Sequence, residues 1–232
     1  LGQKAENRWV GVNCGIMDQL ISAAGREGHA LLVDCRSLET RPVPFPPGVA
    51  VVILDTGTRR GLVDSSYNER RAQCEAAAEF FGVRALRDVE YQTLQARASE
   101  LDDTVLRRAR HVITENDRTL AAVKAMGRGE LETLGRLMIE SHASLRDDYE
   151  VSSNALNAMV DSANAQAACF GARMTGAGFG GCAVAVVESG AADSFSRTVA
   201  ADYEKQTGHT PALYVCRASS GAEVVEVVQG IE

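Results

Sequence analysis

The sequence predicts an α+β fold, a sandwich of an antiparallel sheet and helices. Three observations support this fold class. Short apolar runs bounded by glycine or proline, at residues 29–35 and 49–54, are typical of buried strands. Four helical stretches follow them, and the chain then returns to a strand–helix–strand pattern at residues 182–216. Antiparallel strands with helices packed to one side make such a sandwich.

Composition limits the function classes. The 232 residues include 24 Lys and Arg against 31 Asp and Glu, a net charge of −7. This acidic balance argues against a nucleic-acid partner and against an anionic membrane surface. No apolar run approaches the roughly 18 residues of a membrane span, and no secretory signal is recognisable. We therefore expect a cytoplasmic globular protein of one large domain, or one and a half.

The first predicted helix lies between Gly11 and Gly25. Its apolar residues recur at helical spacing and form one stripe: Ile16, Met17, Leu20, Ile21 and Ala24. Asp18 falls off this stripe, close to the amino end of the helix. A strand at residues 29–35, a proline-rich connection at residues 42–47 and a strand at residues 49–54 follow.

Four helices are predicted in the middle of the chain. The first opens on a capping box, Ser66-x-x-Glu69, and ends at Gly82. The second spans about residues 100–126, and the third begins near residue 130. The fourth begins near Ser153 and runs toward Gly171. Beyond them, residues 182–187 and 212–216 are predicted strands that flank a helix at residues 191–205.

The cysteines and histidines predict neither a disulfide framework nor a metal centre. The six cysteines include no C-x-x-C pair, and Cys35, Cys182 and Cys216 lie in or beside apolar runs. We interpret them as reduced core thiols of a cytosolic protein. The four histidines are scattered without the spacing of a zinc site.

A glycine-rich segment, MTGAGFGG at residues 174–181, directly precedes a predicted strand. Glycine permits positive φ and a close approach of the backbone, so such a loop can aim N–H groups at an anion. It matches neither a P-loop, which needs a Lys-Ser/Thr pair, nor a dinucleotide fingerprint, which opens a helix. A tight turn without a ligand is the alternative interpretation.

Individual side chains offer further chemistry, each with a structural alternative. Asp18, favoured as a carboxylate at a helix amino end, could accept or orient the proton of a substrate hydroxyl, or could simply start the helix. Glu6 could supply a hard oxygen to Mg²⁺, or lie on the surface. Tyr67 could bind a polar ligand, or be a half-buried core residue. The arginine pairs 59–60 and 70–71 could meet phosphate, or be solvated.

Four longer segments stand out: GVNCGIMDQ at residues 11–19, SSYNERRAQC at 65–74, SLRDDYEVS at 144–152 and RMTGAGFGGC at 173–182. Together they closely resemble the galactokinase family of the GHMP small-molecule kinase superfamily. The resemblance runs in order over essentially the whole chain. Several long matches in the right order are far more specific than one glycine-rich loop.

The resemblance implies ATP-dependent phosphorylation of galactose at its C1 hydroxyl, with Mg²⁺. Asp18 would be the catalytic aspartate that contacts this hydroxyl, and Gly15 would touch the sugar through its backbone. Tyr67 would bind galactose, and Glu6 would be the Mg²⁺ ligand beside the nucleotide phosphates. The glycine-rich loop would support the positioning of substrate and phosphate. The partners would be galactose and ATP, and the protein a cytoplasmic monomer.

The sequence also departs from the family pattern. The amino-terminal sugar motif and the phosphate loop that holds ATP are not found, so the nucleotide-binding residues are unknown. We expect the chain to be the C-terminal two-thirds of a galactokinase and inactive alone. Residues 1–48 would be a remnant of the N-terminal GHMP kinase domain carrying the catalytic Asp, and residues 49–232 the C-terminal domain. Ala177 replaces a usual glycine and is tolerable only at negative φ.

Other functions stay open at this point. An N-acetylgalactosamine kinase or another GHMP sugar kinase would share these motifs. A galactokinase-like sugar sensor could bind the same ligands without catalysis and regulate transcription through a partner. A truncated gene product without function is a third alternative.

Overall fold

The computed structural model describes residues 2–10, 15–58 and 63–223. The chain divides into two compact units: a smaller unit, Leu1–Phe45 with Arg217–Glu232, and a larger unit, Pro46–Cys216. The helices are α1 Gly2–Ala5, α2 Met17–Ala24, α3 Val63–Phe80, α4 Tyr91–Ala96, α5 Asp103–Arg128, α6 Leu131–Asp147, α7 Asn154–Asn164 and α8 Ala192–Thr207, with a π-helical turn at Glu6–Val10. The strands are β1 His29–Val33, β2 Thr40–Pro44, β3 Val49–Asp55, β4 Cys169–Met174, β5 Cys182–Glu188 and β6 Ala212–Cys216.

The smaller unit contains an antiparallel ribbon of β1 and β2, paired from His29–Pro44 to Val33–Thr40. The connection predicted at residues 42–47 is therefore wrong in its first part, since Pro42 and Pro44 belong to β2. Proline cannot donate to a ladder and is tolerated where a strand has an outer edge, as in this two-stranded ribbon. Cys35, predicted to be in the core, is exposed just beyond the end of β1.

Helix α2 confirms the helix predicted near Asp18. It begins at Met17 and ends at Ala24, and the N–H of the following Gly25 donates to the carbonyl of Ile21. The predicted apolar stripe is present, but no residue of α2 is buried, and the exposed fraction of Met17 is 58%.

The larger unit is built on a four-stranded sheet in the order β4-β5-β3-β6, antiparallel throughout. The strands predicted at residues 49–54, 182–187 and 212–216 are confirmed. Burial alternates along β3, where Ala50, Val52 and Leu54 face the main hydrophobic core. Helices α7 and α8 supply the other side of that core, with Leu156 and Tyr203 among its fully buried residues. The α+β class is therefore confirmed.

Strand β4 was not predicted. The fourth predicted helix was extended toward Gly171, but α7 ends at Asn164 and the chain turns into β4 at Cys169. Glycine in β4 serves a close approach, because a Cβ on Gly171 would collide with the backbone of Gly135 on α6. This glycine and Arg173 interrupt the sequence CFGARM, so β4 lacks the continuous apolar run by which the other strands of the sheet were recognised.

Helix starts were predicted with mixed success. Ser153 is the N-cap of α7, and its hydroxyl accepts the N–H of Leu156 at 3.2 Å, as the predicted start requires. The capping box at Ser66 is wrong, because α3 already begins at Val63. The Glu69 carboxylate instead accepts a hydrogen bond from the Gln73 side chain on the next turn.

A second hydrophobic cluster joins α3, α4 and α5 and includes Ala77, Leu94, Ala109 and Ile113. Helix α4 was not predicted from the sequence. No helix in the part of the chain that the structure describes is both long and apolar enough to cross a bilayer.

Candidate functional site

Asp18 lies in the first turn of α2 and its side chain is exposed. The N-cap position is occupied by Ile16, which makes no side-chain capping bond to the first helical amides. The carboxylate therefore sits in the positive field of the helix amino end and is open to a ligand. Residues 11–14, the first part of the same motif, lie outside the described residues.

Gly15 and Glu6 belong to the same compact unit as Asp18. Gly15 is exposed, and a Cβ built on it would meet no atom within 4 Å, so there is room for a ligand against its backbone. Glu6 is half-buried at the start of the π-helical turn.

The donor set for a metal is small. Over residues 2–10, 15–58 and 63–223, no group of three His, Cys, Asp or Glu side chains could hold a metal ion. Mg²⁺ usually takes only one or two carboxylates from the protein and completes its shell with water and substrate phosphates. A single carboxylate such as that of Glu6 therefore fits Mg²⁺ but not a closed structural metal site.

Tyr67 lies on α3 in the larger unit and is 41% exposed, so its phenol is more accessible than a core tyrosine would be. The neighbouring arginine pair is engaged within the protein. Arg70 donates through Nε to the carbonyl of Tyr149 at 2.7 Å, and Arg71 pairs with Glu75 at 2.8 Å. Arg59 and Arg60 lie outside the described residues.

The glycine-rich loop joins β4 to β5 and has an unusual backbone. Positive φ angles occur at Gly176, Gly178, Phe179, Gly180 and Gly181. Ala177 is not among the residues with positive φ, so it meets the condition that its Cβ imposes. The tight turns at Gly178 and Gly180 are buried, whereas Gly176 is exposed.

The loop is fixed by three of its own amides. Thr175 N–H donates to the carbonyl of Cys182, Phe179 N–H to that of Val151 and Gly181 N–H to that of Thr58. At most four amides of residues 175–181 could therefore face an anion: those of Gly176, Ala177, Gly178 and Gly180.

Polar side chains support both ends of the loop. The buried Thr56 donates its hydroxyl to the carbonyl of Gly181 at 2.7 Å. At the other end Arg173 Nε donates to the carbonyl of Met174 at 3.0 Å. Arg173 also lies 3.5 Å from Glu115, and burial lowers its pKa. The loop is thus a rigid connection rather than a free one.

A cleft of about 710 Å³ lies elsewhere in the larger unit, between residues 87–92 and α5. It is lined by neither Tyr67 nor the glycine-rich loop. The candidate residues are therefore not gathered in this cleft.

Comparison with known proteins identifies the fold. Residues 122–205 match the family described as GHMP kinases C terminal. The crystal structure of Lactococcus lactis galactokinase complexed with galactose is 39% identical, with a TM-score of 0.89 over 95% of this chain. That of L. major mevalonate kinase in complex with R-mevalonate is 18% identical, with a TM-score of 0.50, and covers 80% of this chain and 47% of the mevalonate kinase. The second likeness concerns the fold alone. The chain spans 58% of the length of the galactokinase it matches.

Proposed function

We propose that this chain acts in a sugar kinase, because residues 122–205 match the C-terminal family of the GHMP kinases and 95% of the chain aligns with a galactokinase. The kinase would transfer the γ-phosphoryl group of ATP to the C1 hydroxyl of galactose. The extended similarity to Lactococcus lactis galactokinase is the observation that carries this proposal. The CGIMDQ segment, part of one of the four segments that resemble the galactokinase family, contains Asp18, the candidate catalytic carboxylate.

Phosphoryl transfer demands mainly positioning and charge neutralisation, because its transition state resembles metaphosphate. Asp18 would contact the C1 hydroxyl and accept or orient its proton, a role that its exposed place at a helix amino end supports. Gly15 would present its backbone to the sugar, and Tyr67 its phenol. Mg²⁺, when bound beside the nucleotide phosphates, would neutralise their charge, and Glu6 is the residue that would hold it.

The glycine-rich loop would support substrate and phosphate positioning. The amides of Gly176, Ala177, Gly178 and Gly180 donate to no backbone carbonyl of the described residues, and up to four of them could serve as donors, since oriented backbone amides bind anions without a charged side chain. We further propose that residues 1–48 act as part of the N-terminal GHMP kinase domain and residues 49–232 as the C-terminal one. The protein would be a cytoplasmic monomer.

The decisive experiment measures phosphoryl transfer by the natural protein that contains this chain. ATP is supplied with galactose or with N-acetylgalactosamine, and the sugar 1-phosphate is detected by ³¹P NMR. We expect transfer to galactose and a strong preference for it. Transfer only to the acetamido sugar would identify the alternative kinase, and binding of both ligands without transfer would identify a sensor.

The role of Asp18 is tested with Asp18→Asn. Loss of the carboxylate should lower kcat by about 100- to 10,000-fold while galactose binding is largely kept. Glu27→Gln is the control, because Glu27 is an exposed carboxylate of the same unit. An unchanged kcat in the Asp18 variant would remove the assigned role.

A further inference from the structure

A turn at residues 147–151, here called the clamped turn, joins α6 to α7 and is gripped by arginines from two other helices. Four of its carbonyls accept hydrogen bonds from guanidinium groups: Asp147 from Arg107, Asp148 from Arg108, and both Tyr149 and Glu150 from Arg70. The Asp148 carboxylate also pairs with Arg110 at 2.9 Å. Arginine forks can hold two acceptors at fixed geometry, so four of them leave this turn little freedom.

Glu150 is the strained centre of the clamped turn. Its φ of 54° lies in the left-handed region, which a non-glycine residue occupies at a cost. Its carboxylate pairs with Arg107 and Arg108, both at 2.5 Å, and its carbonyl accepts from Arg70 Nη2 at 3.1 Å. Hydrogen bonds from Arg107 and Arg108 lower the pKa of Glu150 to about 2. The ionised carboxylate therefore holds a conformation that the residue would not adopt by itself.

The next residue carries the clamped turn to the glycine-rich loop. The carbonyl of the buried Val151 accepts the N–H of Phe179 at 2.6 Å. A Cβ on Gly178 would collide with that same carbonyl. Phe179 itself has a φ of 61°, in the left-handed region. The strained residue of the loop, Phe179, is therefore hydrogen-bonded to Val151, which directly follows Glu150, the strained residue of the turn.

The clamped turn is also attached to the helix that carries Tyr67. Arg70 lies three residues after Tyr67 on α3, and residues at this spacing share one side of a helix. The Arg70 side chain is only 12% exposed and donates to two successive carbonyls of the turn. A continuous path therefore runs from α3 through Arg70 and Val151 to Phe179.

We propose that Arg70 and Glu150 are positioning residues that couple the helix carrying Tyr67 to the glycine-rich loop, with the Val151 backbone as the link. The consequence for sugar binding rests on the proposed kinase function, but the coupling itself does not. A strained segment held by surrounding groups keeps its neighbours in one arrangement before a ligand arrives.

Hydrogen exchange of single amides in the 232-residue chain tests the coupling. Glu150→Gln keeps the side-chain shape and removes the charge, whereas Arg70→Gln removes the guanidinium group that donates to the two carbonyls of the turn. We expect exchange of the Phe179 amide to rise about tenfold or more in both, because local opening exposes it. The amide of Val52, in the fully buried centre of β3, reports global opening and should stay unchanged. Arg71→Gln is the matched control, since Arg71 contacts only its exposed helical neighbour Glu75 among the contacts described.

Unchanged exchange of Phe179 in both variants would overturn the proposal. An equal rise at Phe179 and Val52 would also overturn it, because the clamp would then merely stabilise the whole unit.

A third variant, Gly178→Ala, tests the path from the loop side should the charge variants fail to fold. Its Cβ would push against the Val151 carbonyl, so the Nε–H resonance of Arg70 should shift and exchange faster. An unaltered Arg70 resonance would contradict the coupling. No sugar or nucleotide enters these measurements, so their failure and a failure of the kinase assay are separate results.

Discussion

His142 on α6 accepts a hydrogen bond from the backbone N–H of Met174, the last residue of β4, with 3.2 Å between Nδ1 and N. Two residues earlier on the same strand, Ala172 N–H donates to the Asn164 side chain at 2.8 Å. Strand β4 ends the sheet, so these amides point away from β5. Two side chains thus take the acceptor role that a neighbouring strand would otherwise have, which protects the edge of the sheet.

Replacement of His142 should therefore destabilise the larger unit. His142→Phe keeps an aromatic ring but leaves the buried Met174 N–H without an acceptor, at a cost of about 1–3 kcal/mol in the free energy of unfolding. His142→Asn is the control, because its Oδ1 can occupy the place of Nδ1 and recover part of that loss. Urea unfolding measures the free energy of unfolding of both variants. Equal stability of the Phe variant and the unmodified chain would show that this bond contributes nothing.

Stability should also fall in mild acid because of His111 on α5. This ring is buried, lies 3.0 Å from the Ser144 hydroxyl through Nδ1 and stacks on Tyr149. Burial lowers the pKa of His111 to about 4, although Glu115 nearby acts in the opposite direction. In the unfolded chain this imidazole takes up a proton as the pH falls through about 6.5. In the folded chain it stays neutral until the pH approaches 4.

The sign follows from that difference. The contribution of the neutral imidazole is complete above pH 6.5 and is lost as the pH falls toward 4, by about 3 kcal/mol in the free energy of unfolding. Burial lowers the pKa of His142 as well, which adds to the same loss. Urea unfolding at several pH values should give a flatter profile for His111→Gln than for the exposed control His209→Gln. Parallel profiles for the two variants would exclude His111 as the source.

The part of the fold with local signals could be predicted from the sequence. Strand β3 and strand β5 are continuous apolar runs, and Ser153 is a typical N-cap residue, so each is recognisable within a few residues. Strand β4 is not, because its edge is satisfied by side chains 8 and 32 residues away in sequence. Its glycine and arginine also interrupt the apolar pattern.

The candidate site divides in the same way. The glycine-rich loop and the helix start at Asp18 are local motifs, and both are found where they were predicted. The clamped turn lies within the segment at residues 144–152, which resembled the galactokinase family but to which no role was assigned from the sequence. Glu150, in its left-handed conformation, is hydrogen-bonded to Arg70, 80 residues away, and to two arginines of α5, and no local pattern predicts these contacts.

Tyr67→Phe tests the proposed sugar contact. If the exposed phenol donates to galactose, its loss should raise KM for galactose by roughly 2- to 10-fold, the value of one ordinary hydrogen bond. A contact made equally in the ground and transition states leaves kcat unchanged. Tyr214→Phe is the matched control, because Tyr214 is 54% exposed on β6 in the same unit. In steady-state kinetics of the natural protein, we expect a raised KM for Tyr67→Phe and an unchanged KM for Tyr214→Phe. Equal KM values for the two variants would rule the contact out.

Two glycine-to-alanine changes on neighbouring helices should have opposite signs. A Cβ on Gly135 of α6 would collide with the carbonyl of Phe170, so Gly135→Ala must push α6 away from β4. We expect a loss of about 1–3 kcal/mol or more in the free energy of unfolding. Gly127 of α5 has no atom within 4 Å of its Cβ position. Gly127→Ala should therefore stabilise the chain by about 0.4–1 kcal/mol, through the lower entropy of the unfolded state.

Urea unfolding of the two variants makes this a test of the α6–β4 packing itself. Helix propensity alone predicts stabilisation at both positions, since alanine is the better helix former. Only the close contact between the backbones of α6 and β4 turns the expected stabilisation into a destabilisation at Gly135. A stabilised Gly135→Ala would therefore mean that α6 stands further from β4 than described. The hydrogen bond from Met174 to His142 would then be lost with the contact, because the same helix supplies both.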